Sequence, residues 1–372
     1  MQLPLTEMQR VDGVVVLSGT LEPSENPLTL RYATRTGALL RLDGAAAGAF
    51  DREHRETVVQ ASATARSLEL AVELHALPTN GLPSGNGLNW WLLNFLADER
   101  PQTKISADDA SEQLPVASGA TLPVIGHSHL DVAWLWSFDE TRRKAARTFA
   151  IAASLLARDE TFVFAQSQPQ LYAYVEVDEP ALFETIRERV RERRFDPDIA
   201  ALWVESDCNL PSGESLLRQM MFAHRYIGER FDVEPSIAWL PDSFGFANTL
   251  PTLLAHAGIR RFATTKLSWN DTTSFPYAQF IWRAPDGSEV VGALLRSYDG
   301  GLDPGRIAIA RERNEPIVAG YGDGGGGVTD EMLRDVRRDG RWIRPGEWFE
   351  EVEERRGSLP VYADELYLQY HR

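Results

Sequence analysis

TLPVIGHSHLDVAWLW, residues 121–136, is the stretch on which the reading of this chain turns. Thr121 to Ile125 are small and branched residues with the look of a short buried strand. The run ends in His127, His129 and Asp131, followed by Trp134, Trp136 and a helical segment. In an extended segment residues i and i+2 point to the same side. His129 and Asp131 can therefore converge on one ion, as can His127 and His129. Imidazole with carboxylate is a typical mixed donor set for zinc. The competing reading is a helix start capped by Asp131, with both histidines in the core. The carboxylate two residues on, with Trp134 just beyond, favours the metal.

The rhythm on either side places this stretch. Upstream, residues 1–78 are β-rich: RVDGVVVLSGTLE, LTLRYAT, ALLRLDG and SLELAVELHAL cluster β-formers between turn residues and predict a small antiparallel sandwich. Residues 79–120 are rich in turn formers and small polar residues, and read as a linker with one short helix near Asn89–Leu96. From 121 to 372 strands and helices alternate. Strands are expected at Thr121–Ile125, Phe162–Gln166, Ile199–Glu205, Ser236–Leu240, Arg261–Thr265 and Glu289–Leu295. Helices are expected at Asp139–Arg158, Ala181–Arg194, Ser212–Phe231 and Leu250–Ala257. Such alternation gives an α/β fold with a mainly parallel sheet wrapped by helices. The site then belongs at the carboxyl ends of the strands. His129, Asp131, Glu205, Asp207, Asp242 and Lys266 all follow predicted strands.

Composition narrows the partners. With 38 Lys and Arg against 54 Asp and Glu, the chain carries a net charge of −16. Nucleic acid is excluded, because phosphate binding needs a basic surface, and an anionic membrane surface is disfavoured. No stretch has the apolar length of a membrane span. The single cysteine, Cys208, and an N-terminus without a signal-peptide pattern predict a cytoplasmic protein. Ten tryptophans suit a sugar ligand, though tryptophan is equally core material. A homo-oligomer is compatible with the sequence.

Four further motifs carry candidate chemistry. WLPDSFGFANTLP (239–251) puts Asp242 just past an apolar strand, as metal ligand, nucleophile or simple turn residue. YGDGGGGVTDEM (321–332) follows Asp323 with four glycines, which permit positive φ and close approach to a ligand. The Lys-Ser/Thr ending of a phosphate loop is missing from it. WVESDCNLPSGES (203–215) holds Asp207 and Asn209, for turn capping or substrate contact. TTKLSWND (264–271) brings Lys266, to meet sugar hydroxyls, a carboxylate or solvent. Two carboxylates beside a metal suggest a retaining glycosidase, one attacking the anomeric carbon and the other protonating the leaving oxygen.

Together with GHSHLDVAWLW and the terminal ELYLQYHR, these motifs stand in the order seen in glycoside hydrolase family 38, and the chain most resembles the cytosolic and bacterial branch of those α-mannosidases. The resemblance spans 121–372, and RLDGAAAGAFDREH (41–54) is similar to that branch's N-terminal β domain. It implies a retaining α-mannosidase acting on terminal α-mannosides of glycans, with one zinc in an irregular (β/α)7-type barrel. His129, Asp131 and Asp242 would hold the zinc. Asp242 would also be the nucleophile and Asp323 the general acid. Trp134, Asp207, Lys266, Tyr298 and His371 would line the sugar pocket. The family's fourth zinc ligand is a histidine in a later helical bundle, so the barrel reads as truncated at its C-terminus, and an impaired fragment is the alternative function. The more distant alternative, a metal-dependent amidohydrolase or deacetylase, needs further histidines after later strands. His224 and His256 fall in predicted helices, and His371 is the remaining downstream candidate.

Overall fold

The computed structural model describes residues 1–11, 13–74, 101–109, 121–270 and 272–367. The expected helix near Asn89–Leu96 and His371 lie outside these residues.

The N-terminal part is a two-sheet antiparallel sandwich. Its strands are β1 (Gln2–Pro4), β2 (Thr6–Val11), β3 (Val14–Leu21), β4 (Leu28–Arg31), β5 (Ala38–Leu42), β6 (Ala45–Phe50), β7 (Glu56–Val59), β8 (Arg66–Glu73) and β9 (Lys104–Asp109). One sheet runs β1-β9-β4-β7 and the other β2-β3-β8-β5-β6. Period-two patterning points Val15 and Leu17 of β3 and Leu68, Leu70 and Val72 of β8 at Leu28, Leu30, Ile105 and Ala107 of the facing sheet. Asp43 and Gly44, both at positive φ, close the β5–β6 hairpin, which is the turn an Asp-Gly pair favours. β9 falls in the segment expected to be linker. Ile105 and Ala107 face the core while Ser106 and Asp108 face outward, an alternation too short to stand out among turn formers.

The remainder is an α/β barrel with a mainly parallel sheet. β10 (Leu122–His127) is followed by α1 (Phe138–Arg158), β11 (Phe164–Ala165), α2 (Pro169–Asp178), α3 (Pro180–Arg191), β12 (Phe195–Asp196) and α4 (Gly213–Phe231). Next come β13 (Ile237–Trp239), α5 (Leu250–His256), β14 (Arg261–Thr264), β15 (Gln279–Arg283) and β16 (Glu289–Leu294). The series ends with α6 (Pro304–Arg313), β17 (Ile317–Ala319), α7 (Asp330–Asp339), β18 (Gly340–Trp342), α8 (Pro345–Glu353) and β19 (Val361–Tyr362). One arc is β12-β11-β10-β17, with β18 also on β10; the other is β13-β14-β16-β15-β19. A bridge between Ala200 and Ala238 links them. Only the β15–β16 pair is antiparallel within the two arcs. Ile125, Ala165, Ile237, Trp239, Ala263, Val291 and Val318 share one buried interior.

Ile199–Glu205 is not the strand expected of it; the strand is Phe195–Asp196. The Trp203 amide donates to the Gln219 carbonyl and that of Val204 to the Gln219 side chain, so α4 takes bonds a neighbouring strand would have had. α1 begins at Ser137, whose side chain accepts from the Glu140 amide. Its buried face, including Phe149 and Ala150, shares a core with Leu39 and Ala49 of the sandwich. Sandwich and barrel are therefore packed against each other through this helix.

Candidate active site

The segments after β10, β12, β13, β14 and β16 and the glycine loop meet at the carboxyl edge of the barrel. After β10 the chain turns so that His129, 1% exposed, sits beneath Asp131. The Nε2 atom lies 3.3 Å from Asp131 Oδ1 and 4.0 Å from Asp242 Oδ2. On the other side of the ring, Nδ1 is 3.1 Å from Glu205 Oε2. Burial alone would lower this histidine's pKa, but Glu205 and Asp131 hold it well above its ordinary value. His127, two residues earlier, is a different case. Its Nδ1 donates to the Ala165 carbonyl at 2.9 Å and its Nε2 accepts from Trp239 at 3.2 Å. Buried and satisfied as the neutral ring, it is pushed down to about 3 by desolvation. Of the two histidines in the motif, His129 alone is turned to the site.

Asp242 follows β13, as expected from the sequence. Its Oδ1 takes the Lys266 ammonium and, at 3.1 Å, the Tyr298 hydroxyl. Lys266 is 2% exposed, so the carboxylate reading of this cation holds and the solvent reading does not. Its ammonium stands 3.3 Å from the Trp269 ring centre and 4.8 Å from that of Phe244. The Tyr298 hydroxyl also lies 2.7 Å from Asp323 Oδ1, and its ring sits tilted at 5.0 Å from that of His129. Burial raises Asp323, with Asp242 and Asp299 adding to the effect and His129 opposing it.

The glycine loop is packed in place. Asp323 adopts a left-handed φ of 56°, held by its carbonyl accepting from the Asp131 amide at 2.9 Å. At Gly322 a Cβ would come within 2.8 Å of the Tyr298 ring and 3.2 Å of His129. At Gly325, φ +79°, it would meet Thr148 Oγ1 at 2.5 Å. Glycine is needed here because the backbone lies against the site.

The expected zinc ligands were His129, Asp131 and Asp242. The tightest grouping of ligand atoms is instead His129, Asp131 and Asp323, all within 4.8 Å of one another, with Asp242 approaching only the histidine. The loop brings this about: the Asp131–Asp323 backbone bond draws the glycine segment over the motif, which spacing in the chain could not reveal. Asp207 does not join the site. It is exposed and accepts from the amides of Asn209 and Leu210 at 2.7 and 2.8 Å, the turn-capping role. Trp134 is 42% exposed and packs edge-on against Trp136 at 5.5 Å. Glu205, placed at a strand end by the sequence, was given no role there. It lay in the WVESD motif beside Asp207, and its following a predicted apolar run was the available signal. Phe244 and Trp269 were likewise unassigned. His224 and His256 lie in α4 and α5, so neither follows a strand. No helix among the described residues is long and apolar enough to cross a membrane.

Comparison with known proteins gives the family. A profile of the glycosyl hydrolases family 38 N-terminal domain matches residues 119–304. Alpha-mannosidase G of Dictyostelium discoideum is 36% identical over 266 residues, 67% of this chain and 24% of that protein. Human alpha-mannosidase 2C1 is 36% identical over 68% of this chain and 26% of its own length. The Saccharomyces cerevisiae alpha-mannosidase is 34% identical over 67% and 25%. The chain thus spans about a quarter of the length of these relatives. Among solved structures, an alpha-mannosidase from Enterococcus faecalis superposes with a TM-score of 0.57 at 16% identity, covering 66% of this chain and 31% of that one, a likeness of fold.

Proposed function

The chain belongs to glycosyl hydrolase family 38, and on that premise we propose that it hydrolyses terminal α-mannosides of glycans with retention, using one zinc ion. The observation that carries the reading is the Tyr298 hydroxyl lying between Asp242 and Asp323, beside the buried His129 and its partner Asp131. A phenol has one proton to donate. Its second contact therefore calls for a proton on one of the two carboxyls, and burial raises Asp323. Asp323 is the general acid and Asp242 the nucleophile, two carboxyls separated in role by their surroundings.

In this mechanism Asp242 attacks the anomeric carbon while Asp323 protonates the departing glycosidic oxygen. The resulting mannosyl ester on Asp242 is hydrolysed by water, whose proton returns to Asp323. Lys266 holds the Asp242 oxygen that does not face His129. The Phe244 and Trp269 rings beside it offer apolar faces to sugar C–H groups. The donor set suits zinc in kind, one imidazole nitrogen with carboxylate oxygens, and the 3.3 Å between His129 Nε2 and Asp131 Oδ1 is the separation of two ligands each roughly 2 Å from one ion. His129, Asp131 and Asp242 would hold the ion, which supplies Lewis-acid binding of neighbouring sugar hydroxyls. Residues 121–372 are the catalytic unit, and the sandwich is its packing partner. The lone cysteine fits a cytoplasmic setting.

The test is hydrolysis of an aryl α-mannoside by the 372-residue chain with zinc supplied, and Asp242→Asn as control. Turnover and zinc binding should fall together in the variant, since one carboxylate has both roles. Full activity in Asp242→Asn would remove the nucleophile assignment. An inert wild-type chain that unfolds cooperatively would overturn the claim that this chain suffices for catalysis.

A further inference from the structure

Glu205 is the most heavily committed carboxylate at the barrel edge, yet the proposed reaction gives it no task. Its Oε1 accepts from the amides of Asp242 at 2.5 Å and Ser243 at 2.9 Å, and from the Ser243 hydroxyl at 3.4 Å. Its Oε2 is buried and faces His129 Nδ1 at 3.1 Å, an ion-pair distance, and among the described residues neither atom makes a hydrogen bond. The Glu205 amide donates to the side-chain oxygen of Gln168 at 2.9 Å, and the Gln168 side-chain amide donates to the Leu130 carbonyl at 2.8 Å. Gln168 makes these bonds from a left-handed φ of 65°, a conformation that costs a non-glycine residue free energy. A single chain of contacts thus ties together the segments after β10, β11, β12 and β13. Leu130, at one end, lies between His129 and Asp131.

We infer that Glu205 is a positioning residue: its carboxylate selects the His129 tautomer with the proton on Nδ1, leaving the Nε2 lone pair for a metal, while fixing the backbone that carries Asp242. The inference rests on the proposed metal role of His129. The physical reason is that an ionised carboxylate only accepts hydrogen bonds. An acceptor facing Nδ1 requires the proton there, and the opposite nitrogen then points its lone pair at Asp131, Asp242 and Asp323. Supporting carboxylates of this kind typically change metal affinity by about 10- to 100-fold. Glu205 is not a second general acid, because one of its oxygens is taken by the Asp242 and Ser243 amides and the other is buried against the imidazole.

The discriminating variant is Glu205→Gln. The amide oxygen can still accept from the Asp242 and Ser243 amides, but its nitrogen donates where the carboxylate accepted. The His129 proton is thereby driven onto Nε2, the metal-facing atom. Zinc affinity, measured by competition with a chromophoric chelator, should fall at least about 10-fold, while the metal-free variant unfolds close to wild type. Nitrogen-15 spectra of histidine-labelled full chain at alkaline pH, where the ring is neutral, should show Nδ1–H in wild type and Nε2–H in the variant. Wild-type affinity in Glu205→Gln, or Nε2–H in the wild-type spectrum, overturns the inference. The wild-type spectrum decides the tautomer even if the variant fails to fold. A wild-type chain that binds no zinc but shows Nδ1–H would sink the metal reading and leave the tautomer assignment standing.

Discussion

Two buried histidine–carboxylate pairs, one in the seam between sandwich and barrel and one at the end of β10, look alike in the chain and behave differently in the fold. His54 Nδ1 pairs with Asp51 Oδ1 at 2.9 Å, and its Nε2 with the Val328 carbonyl at 3.0 Å. Both partners are acceptors, so both ring nitrogens donate and the ring is complete as a cation. Burial would lower it, but Asp51 raises it above its ordinary value. Arg147, also buried, pairs with Glu73 and lends its charge to Asp51. His129 has Glu205 on one side and, on the other, more carboxylates than one nitrogen can serve. The number of acceptors per ring nitrogen, rather than burial or pKa, separates a structural histidine from a candidate ligand.

The sharpest way to break this comparison uses the loop that joins the two regions, which carries Asp323 at one end and Val328 at the other. Asp323→Asn should slow mannosides with poor leaving groups by about 10²- to 10⁴-fold and activated aryl mannosides far less; equal losses would count against Asp323 as the acid. Next in size, His54→Ala leaves Asp51 buried without its partner and should cost about 3–5 kcal/mol in urea unfolding. Zinc affinity should hardly change. His129→Ala should abolish the tight zinc binding that His54→Ala leaves in place. If the two variants exchanged these phenotypes, the partner-counting argument would be wrong.

A smaller effect is expected in acid. Asp51 is held down at about 2, against an ordinary 3.8, by His54 and Arg147 overcoming the opposite effect of burial. A lowered carboxyl contributes stability above pH 3.8 and loses it as pH falls through its folded value. Wild type should therefore lose roughly 2 kcal/mol relative to Asp51→Asn between pH 4 and pH 2. His54, being raised, contributes fully below pH 6.5 and less as pH rises through its folded value. Unfolding curves for wild type and His54→Gln should converge on the alkaline side. Smallest is the α1 cap: Ser137→Ala should cost about 1 kcal/mol, with neither pair disturbed.

Legibility varied with the range of the interactions. The long helices were readable because α1 and α4 carry their own periodicity and their serine caps. β11 and β12, two residues each, were displaced or overextended, since so short a strand is defined by its neighbours. β15 runs antiparallel within an otherwise parallel arc, and QFIWR carries no mark of direction. In the site, His129, Asp131, Asp242, Lys266, Tyr298 and Asp323 were nameable from motifs and are brought together. Asp207 could not be told from Glu205 in the chain, because the turn that uses its carboxylate and the burial of Glu205 are both tertiary facts.

The sequence by itself determined the family, the sandwich followed by alternating strands and helices, and the acidic, sugar-compatible character. These follow from local patterning, ordered motifs and composition, which need no partner to be read. Only the tertiary structure decided which of two neighbouring histidines faces the site, that β9 belongs to the sandwich, and that Glu205 rather than Asp207 supports the cluster. Each of those depends on which donor meets which acceptor across the fold, and residues far apart in the chain set that pairing.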